Sequence, residues 1–171
     1  MKKYFNWIWV CFLFSLLYCG SAWNPFEPEE LPPDYLVNNE LVTPEGVIQK
    51  LQNAYSRKEL TEYLDCLSDD FIFILRFEDQ TYFQLQQNWW DKAHEQEIHR
   101  NLFLHALEIQ LKLIQVFRRE VADDEVQVKY QYQLNVYDDR ETRYSADGFA
   151  QFTLVKNVDG WRIKIWQDLL Y

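Results

Sequence analysis

The stretch from Glu125 to Asp168 constrains the fold of this chain more than any other part of the sequence. From Val126 to Val136, apolar and polar residues alternate strictly, which is the pattern of a β-strand with one face on a hydrophobic core. The segment 144–156 is rich in aromatic and β-branched residues, and the turn sequence 157–160 separates it from a third alternating segment. The stretch therefore predicts three consecutive long antiparallel strands in a pocket-forming α+β domain.

Helical patterns precede these strands. Thr43-Pro44-Glu45 is typical of a helix start, with a capping threonine, a proline at the first helical position and an acid in the first turn. Apolar residues at helical spacing predict helices over about 43–56 and 58–67, followed by a short apolar strand over 71–75. Further along, the alternation that begins at Leu107 changes phase near Leu113-Ile114, which predicts a bulge that bends a long strand.

A third helix is predicted over residues 88–103. Trp90, His94, Ile98 and Leu102 recur every four residues and would form one face of it. We expect Trp90, His94 and Ile98 to line a pocket between this helix and the sheet. His94 is also a candidate general base or acid, because the reference pKa of histidine is close to neutral. The alternative is a histidine packed and hydrogen-bonded between helix and sheet.

The same helix holds the densest polar cluster of the chain. His94 and His99 are five residues apart, about 140° around a regular helix, so they cannot both ligate one metal ion. Glu95 and His99, four residues apart, are interpreted as an exposed pair. No metal site and no cofactor are predicted, and the sequence contains no glycine-rich phosphate-binding motif.

Two segments of the chain resemble the nuclear transport factor 2-like superfamily, in particular its SnoaL-like group. They are TPEGVIQKLQNAYSRKELTEYLDCLSDDFIFIL, similar to the opening helices and first strand of that superfamily, and YSADGFAQFTLVKNVDGWRIKIWQDL, similar to its final hairpin. The resemblance covers residues 43–171. It implies an α+β cone, a curved mixed or antiparallel sheet wrapped over three helices with a cavity at its open end. Superfamily members include isomerases, dehydratases and cyclases as well as non-catalytic binding modules, often dimeric through the sheet.

Isomerase-type members of the superfamily keep an acid and a tyrosine in the cavity. In this chain the corresponding candidates are Asp147, which lies inside a predicted strand, and Tyr130 or Tyr132. With His94, they form the set that an enzyme would use. No motif fixes this match, so the catalytic residues stay open, while Tyr130 and Tyr132 are also expected to line the pocket.

The N-terminal residues are typical of a bacterial export signal. Two lysines precede an apolar run from Trp7 to Tyr18, which is too short to span a bilayer comfortably. Residues 1–19 are therefore predicted to be a signal peptide. Cys19 is positioned for lipidation, and cleavage after Ala22 is the alternative. Residues 20–42 hold four of the five prolines among acids, which favours an extended tether, although their second half is equally consistent with an arm packed on the domain.

The net charge of the chain restricts the kinds of partner that it can bind. The net charge of −10 disfavours binding to nucleic acid and direct binding to anionic membranes, so that a lipid anchor would be the only link to a membrane. The sequence favours an exported, lipid-anchored envelope domain that binds a small apolar ligand or a protein partner without catalysis, with a homodimer through the sheet as a further expectation. The alternatives are a cofactor-free isomerase, dehydratase or cyclase, and a purely structural assembly module.

Overall fold

The computed structural model describes residues 41–82, 86–138 and 142–169. Within these ranges the chain forms the helices α1 (Pro44–Arg57), α2 (Leu60–Asp65), α3 (Phe77–Tyr82) and α4 (Lys92–His105). As predicted, Thr43 caps α1, because its hydroxyl accepts a hydrogen bond of 3.1 Å from the backbone N–H of Gly46. None of these helices combines the length and the apolar character needed to cross a bilayer.

The described residues form six strands in one mixed sheet. They are β1 (Leu67–Ile74), β2 (Trp89–Asp91), β3 (Ala106–Ala122), β4 (Glu125–Asp138), β5 (Arg143–Asn157) and β6 (Gly160–Leu169). Their order across the sheet is β2-β1-β6-β5-β4-β3. Strands β1 and β6 are parallel, and every other neighbouring pair is antiparallel. The three consecutive antiparallel strands predicted over 125–168 are β4, β5 and β6.

The turn between β5 and β6 depends on its glycine. Gly160 has a φ of 110°, which side chains rarely adopt, and a Cβ at this position would lie 2.4 Å from the carbonyl oxygen of Leu41. The same carbonyl accepts a hydrogen bond of 2.7 Å from the backbone N–H of Trp161. The start of the described chain is therefore fastened to the start of β6.

Alternation along β4 places one face of the sheet in the core, as predicted. Val126, Val128 and Tyr130 are buried, and they face α1, whose Val47 and Leu51 are also fully buried. Polar residues occupy the other face of β4. The helices therefore cover only one face of the central strands, as the period of two requires.

Bulges in β3 and β6 change which residues face inward near the cavity. In β3, Gln115 pairs with Tyr130 and Phe117 with Lys129, so the predicted change of phase occurs two residues later than expected. In β6, Ile163 pairs with Leu154 but Ile165 pairs with Thr153, which leaves Lys164 as the extra residue. After this bulge Trp166 and Asp168 face inward. Unbroken alternation from Trp161 and Ile163 would place Trp166 on the outer face, so the bulge reverses the direction of this side chain.

The sheet curves around the helices, which confirms the predicted α+β architecture. One cavity is lined by residues of all six strands, from β2 at one edge to β3 at the other. A flat sheet cannot bring strands from opposite edges to one cavity. The predicted signal peptide, residues 1–19, and all of the tether except residues 41 and 42 lie outside the described residues.

Candidate functional site

A cavity of about 200 Å³ lies between the helices α1 and α4 and the inner face of the sheet. Most of its wall is apolar or aromatic, with a small number of polar groups, which is the usual composition of a small-molecule site. Its lining residues are Tyr55, Phe73, Trp90, Glu95, His99, Leu111, Leu113, Tyr132, Leu134, Ala146, Trp166 and Asp168.

A row of aromatic side chains crosses the sheet beside the cavity. Phe73 in β1 is the register partner of both Trp90 in β2 and Trp166 in β6, and Trp166 is in turn the partner of Phe152 in β5. The rings of Phe73 and Trp90 stack with centroids 4.3 Å apart, and the Phe73 and Trp166 centroids are 5.6 Å apart. Cross-strand aromatic pairs of this kind stabilise a sheet and fix its register. Here they also form a rigid wall.

Glu95 is the centre of a buried hydrogen-bond network. Its side chain is 1% exposed. One carboxylate oxygen accepts a hydrogen bond from the hydroxyl of Tyr63, and the other accepts one from the indole N–H of Trp90. His99 Nδ1 lies 3.1 Å from the first of these oxygens and 3.1 Å from the backbone carbonyl oxygen of Glu95. The network thus connects α2, β2 and α4 around one carboxylate.

His99 presents its other nitrogen to the cavity. Its ring stacks on Tyr63 with centroids 4.3 Å apart, and burial lowers the pKa of the imidazole, which keeps it neutral at pH 7. With Nδ1 donating toward Glu95, Nε2 is the acceptor nitrogen. Across the described part of the chain, Nε2 has no hydrogen-bond partner, and no fully enclosed side-chain nitrogen or oxygen is left unpaired. Nε2 is therefore open to the cavity that His99 lines.

The hydroxyl of Tyr55 is also open to the cavity. Tyr55 is 6% exposed and lines the cavity, and within the described ranges its hydroxyl has no hydrogen-bond partner. Burial, together with the nearby charge of Glu95, raises the pKa of this phenol, so the group is a neutral hydroxyl. Tyr55 and His99 lie side by side, with ring centroids 5.1 Å apart. They provide one donor and one acceptor for a bound molecule.

Asp168 forms a second polar group in the wall. Its Oδ1 accepts a hydrogen bond of 3.2 Å from the Tyr132 hydroxyl, and its Oδ2 lies 3.2 Å from Nε of Arg76. Arg76 also contacts Asp79, at 2.5 Å from Nη2. Burial raises the pKa of Asp168, although Arg76 and Tyr132 act in the opposite direction. Only the bulge in β6 turns this carboxylate inward.

The structure distributes the predicted site residues over three environments. Trp90 and Tyr132 line the cavity. Tyr130 is buried in the core beside it, where its hydroxyl donates to Gln115 Oε1 at 3.0 Å. Asp147 lies on the exposed face of β5 as the register partner of Gln133, and so it cannot act in the cavity.

His94 and Ile98 do not line the cavity, which corrects the expectation for this helix. The His94 side chain is 67% exposed and Ile98 is 44% exposed. These side chains face solvent because α4 begins later than predicted, which changes the face that the helix turns toward the sheet. Asp91 caps it by accepting a hydrogen bond of 3.0 Å from the His94 N–H, and Trp90 belongs to β2 rather than to the helix.

The buried face of α4 is one residue out of phase with the predicted one. It consists of Glu95, His99 and Phe103. The interpretation of Glu95 and His99 as an exposed pair is therefore wrong. Their spacing of four was visible in the sequence, but Phe103 is the one apolar residue among the three, and acidic residues are rarely fully buried. Within the described residues, no group of three or more His, Cys, Asp or Glu side chains is arranged to hold a metal ion.

No protein-family model matches the chain, and no curated protein matches its sequence. Solved structures do match. A candidate aromatic ring hydroxylase from Novosphingobium aromaticivorans superposes with a TM-score of 0.63 at 12% identity, over 82% of this chain and 92% of that one.

Two further structures show the same architecture. A candidate scytalone dehydratase from Novosphingobium aromaticivorans has a TM-score of 0.62 at 10% identity, over 72% of this chain and 78% of that one. An NTF-2-like protein of unknown function from Shewanella oneidensis has a TM-score of 0.56 at 12% identity, over 71% of this chain and 92% of that one. At such identities the likeness establishes the fold alone. The chain therefore has the nuclear transport factor 2-like fold that its sequence resemblance predicted.

Proposed function

We propose that this domain binds a small, mainly apolar organic molecule in the cavity between α1, α4 and the sheet. The observation that carries the proposal is the cavity itself, about 200 Å³, with a wall of in-register aromatic side chains. An apolar cavity of about 150 Å³ holds a benzene molecule, so a single ring with a short substituent matches the size. The polar atoms that reach the cavity are few, as orientation of one bound molecule requires.

Native mass spectrometry of the gently purified protein is the first test. A reproducible additional mass in the range of a single-ring organic molecule would reveal a retained ligand. For a defined probe, saturation-transfer NMR with 2-phenylethanol measures binding of a neutral single-ring molecule. We expect transfer from protein to probe.

Two neighbouring positions in β5 provide a matched pair of variants. Ala146 lines the cavity, so Ala146→Phe should fill it and abolish the transfer. Ser145 points to the other side of the strand, and Ser145→Phe should leave binding intact. Equal transfer in both variants, or no transfer in the unaltered protein, would contradict binding at this site.

A cofactor-free acid–base enzyme is the second candidate function. The set His94, Asp147 and Tyr130 does not favour it, because His94 and Asp147 are exposed away from the cavity. The observation that favours it is the buried pair Glu95–His99, in which Nδ1 is oriented by a carboxylate and Nε2 is open to the cavity. A neutral imidazole held this way can accept a proton, and the hydroxyl of Tyr55 can stabilise an oxyanion.

Solvent deuterium exchange tests this activity. A cyclic ketone such as 2-indanone, incubated with the protein in D₂O, should exchange its α-protons faster than in buffer if His99 acts as a base. His99→Gln should reduce the rate to that of buffer, whereas His94→Gln should not. Exchange at the buffer rate with the unaltered protein would argue for binding without catalysis.

We further propose that the domain is exported and anchored through Cys19. The support is the sequence of residues 1–42, with its two lysines, its apolar run and its proline-rich tether. Membrane fractionation and intact mass of Cys19→Ser provide the test, with Cys11→Ser as the matched control. If Cys19→Ser fractionates like the unaltered protein and has an unchanged mass apart from the substitution, the anchor is refuted and ordinary cleavage is favoured.

A homodimer through the sheet is also part of this proposal. The outer face of β4 carries Lys129, whose ammonium lies 4.3 Å from the ring centroid of Phe149 in β5. Light scattering after size-exclusion chromatography should give twice the mass of one chain. Gln131→Glu, which adds a negative charge to this face in both copies, should shift the mass toward one chain. A monomeric mass for the unaltered protein would contradict the dimer.

A further inference from the structure

Apart from the Tyr55 hydroxyl, the polar atoms that are open to the cavity are hydrogen-bond acceptors. Nε2 of His99 is an acceptor because Nδ1 carries the proton. The carboxylate of Asp168 accepts one bond from Tyr132 and one from Arg76, and a carboxylate has about four acceptor sites, so part of its capacity is open. A molecule that satisfies these atoms must supply donors.

The charges around the cavity are predominantly negative. Among the described residues, no lysine or arginine lines the cavity, whereas Glu95 and Asp168 both do. Arg76, outside the wall, is shared between Asp168 and Asp79, at 3.2 Å and 2.5 Å. Its single positive charge cannot balance both acids.

The partners of Glu95 in the described part of the chain are neutral. Tyr63, Trp90 and His99 surround its carboxylate, and burial keeps the imidazole of His99 uncharged. A buried carboxylate is stabilised by hydrogen bonds, and it gains further from a nearby positive charge because the low local dielectric strengthens the attraction. An anionic ligand would be repelled for the same reason.

The aromatic wall favours a cation as well. Five of the lining side chains are phenyl, phenol or indole rings. The faces of such rings carry partial negative charge and attract ammonium groups, with tryptophan the strongest of the three. Charge, hydrogen-bond polarity and ring content therefore all point to the same class of ligand.

We propose that the cavity binds a small arylalkylamine in its protonated form, with its ring against the aromatic wall and its ammonium group toward Asp168 and His99. This inference rests on the proposed function, since it specifies which small molecule the cavity accepts. The ring of such an amine supplies the apolar contact area, and the ammonium group supplies three donors and one positive charge.

A charge series on one molecular skeleton provides the test. The purified full-length protein is titrated calorimetrically at pH 7 with 2-phenylethylamine, 2-phenylethanol and phenylacetate, which are cationic, neutral and anionic at that pH. We expect the amine to bind at least about tenfold more tightly than the alcohol, and phenylacetate not to bind. If the alcohol binds as tightly as the amine, the inference is overturned while the proposed function stands. If none of the three binds, both are overturned.

Two carboxylate variants locate the effect. Asp168→Asn should weaken binding of the amine about tenfold and leave binding of the alcohol unchanged. Asp147→Asn, on the exposed face of β5, is the matched control and should change neither. An equal loss for amine and alcohol in Asp168→Asn would overturn the role of charge.

The pH dependence of the unaltered protein provides a second measurement that needs no variant. Acidification protonates Asp168, which Tyr132, Arg76 and Asp79 surround. It also protonates His99, which faces Glu95, Tyr63 and Tyr55. Both changes remove an acceptor and make the cavity more positive, so the affinity for the amine should fall between pH 7 and pH 4 while that for the alcohol stays level. An amine affinity that does not change over this range would overturn the inference.

Discussion

Replacing Glu95 by alanine should be among the most damaging single substitutions in this domain. The carboxylate is 1% exposed and serves three donors, the Tyr63 hydroxyl, the Trp90 indole N–H and Nδ1 of His99. Each buried donor that loses its acceptor costs about 1–3 kcal/mol. Because Trp90 is only partly buried and water can enter the vacated space, we expect a total loss of about 3–5 kcal/mol in the free energy of unfolding. This is a large part of the stability of a typical domain, about 5–15 kcal/mol.

Urea unfolding followed by tryptophan fluorescence measures this loss, and Glu97→Ala on the exposed side of α4 is the matched control. An exposed glutamate–histidine pair contributes only about 0.2–0.5 kcal/mol, so the two interpretations of Glu95 differ about tenfold in predicted effect. Glu95→Gln retains one acceptor oxygen and should fall between the two. A loss for Glu95→Ala within about 1 kcal/mol of that for Glu97→Ala would refute the buried network.

Three further predictions concern the pH dependence, the cavity and α1. Burial lowers the pKa of His99, so the folded state binds a proton at this residue less readily than the unfolded chain does. The free energy of unfolding should therefore fall as the pH drops below about 6.5. Urea titrations at several pH values measure this slope, and His99→Gln should flatten it. A Cβ at Gly148 would lie 3.0 Å from the Tyr132 hydroxyl, so Gly148→Ala should displace the Tyr132 ring and weaken ligand binding. Unchanged affinity in the calorimetric titration would show that the ring moves without affecting the cavity. Thr43→Ala removes the cap of α1 and should cost about 1 kcal/mol in urea unfolding, while Thr43→Ser should cost less.

Local signals in the sequence were sufficient for the helix start at Thr43, the strands β4 to β6, the turn at Gly160 and the architecture. Each of these depends on neighbouring residues or on a period that repeats along one element. A capping side chain reaches a backbone N–H three residues away, and an alternating strand buries alternate side chains whatever lies on the other side of it. The resemblance of residues 43–171 to a known fold added the order of the elements.

The aromatic wall of the candidate site depended on the tertiary structure. Trp90, Phe73 and Trp166 lie on three strands that are distant in sequence. Only the parallel pairing of β1 with β6, together with the antiparallel pairing of β1 with β2, places these three side chains in one row. No periodicity within one strand indicates which residue of another strand will be its neighbour.

The buried face of α4 also depended on the packing of the helix. The cap at Asp91 fixes where α4 begins, and the helix then turns Glu95 and His99 toward the sheet and leaves His94 and Ile98 exposed. The predicted stripe differed from this face by one residue, which is about 100° of rotation around the helix axis. An error of that size is enough to exchange the residues that reach the cavity for residues that face solvent.

The bulge in β6 had the same kind of effect. Unbroken alternation would place Trp166 and Asp168 on the outer face, but the extra residue Lys164 turns both toward the cavity. Strand pairing, helix phase and bulges are decided by contacts between segments that are far apart in the chain. The sequence alone therefore determined most of the elements, although not α3 or β2, and only the packing of the elements decided which side chains meet in the cavity.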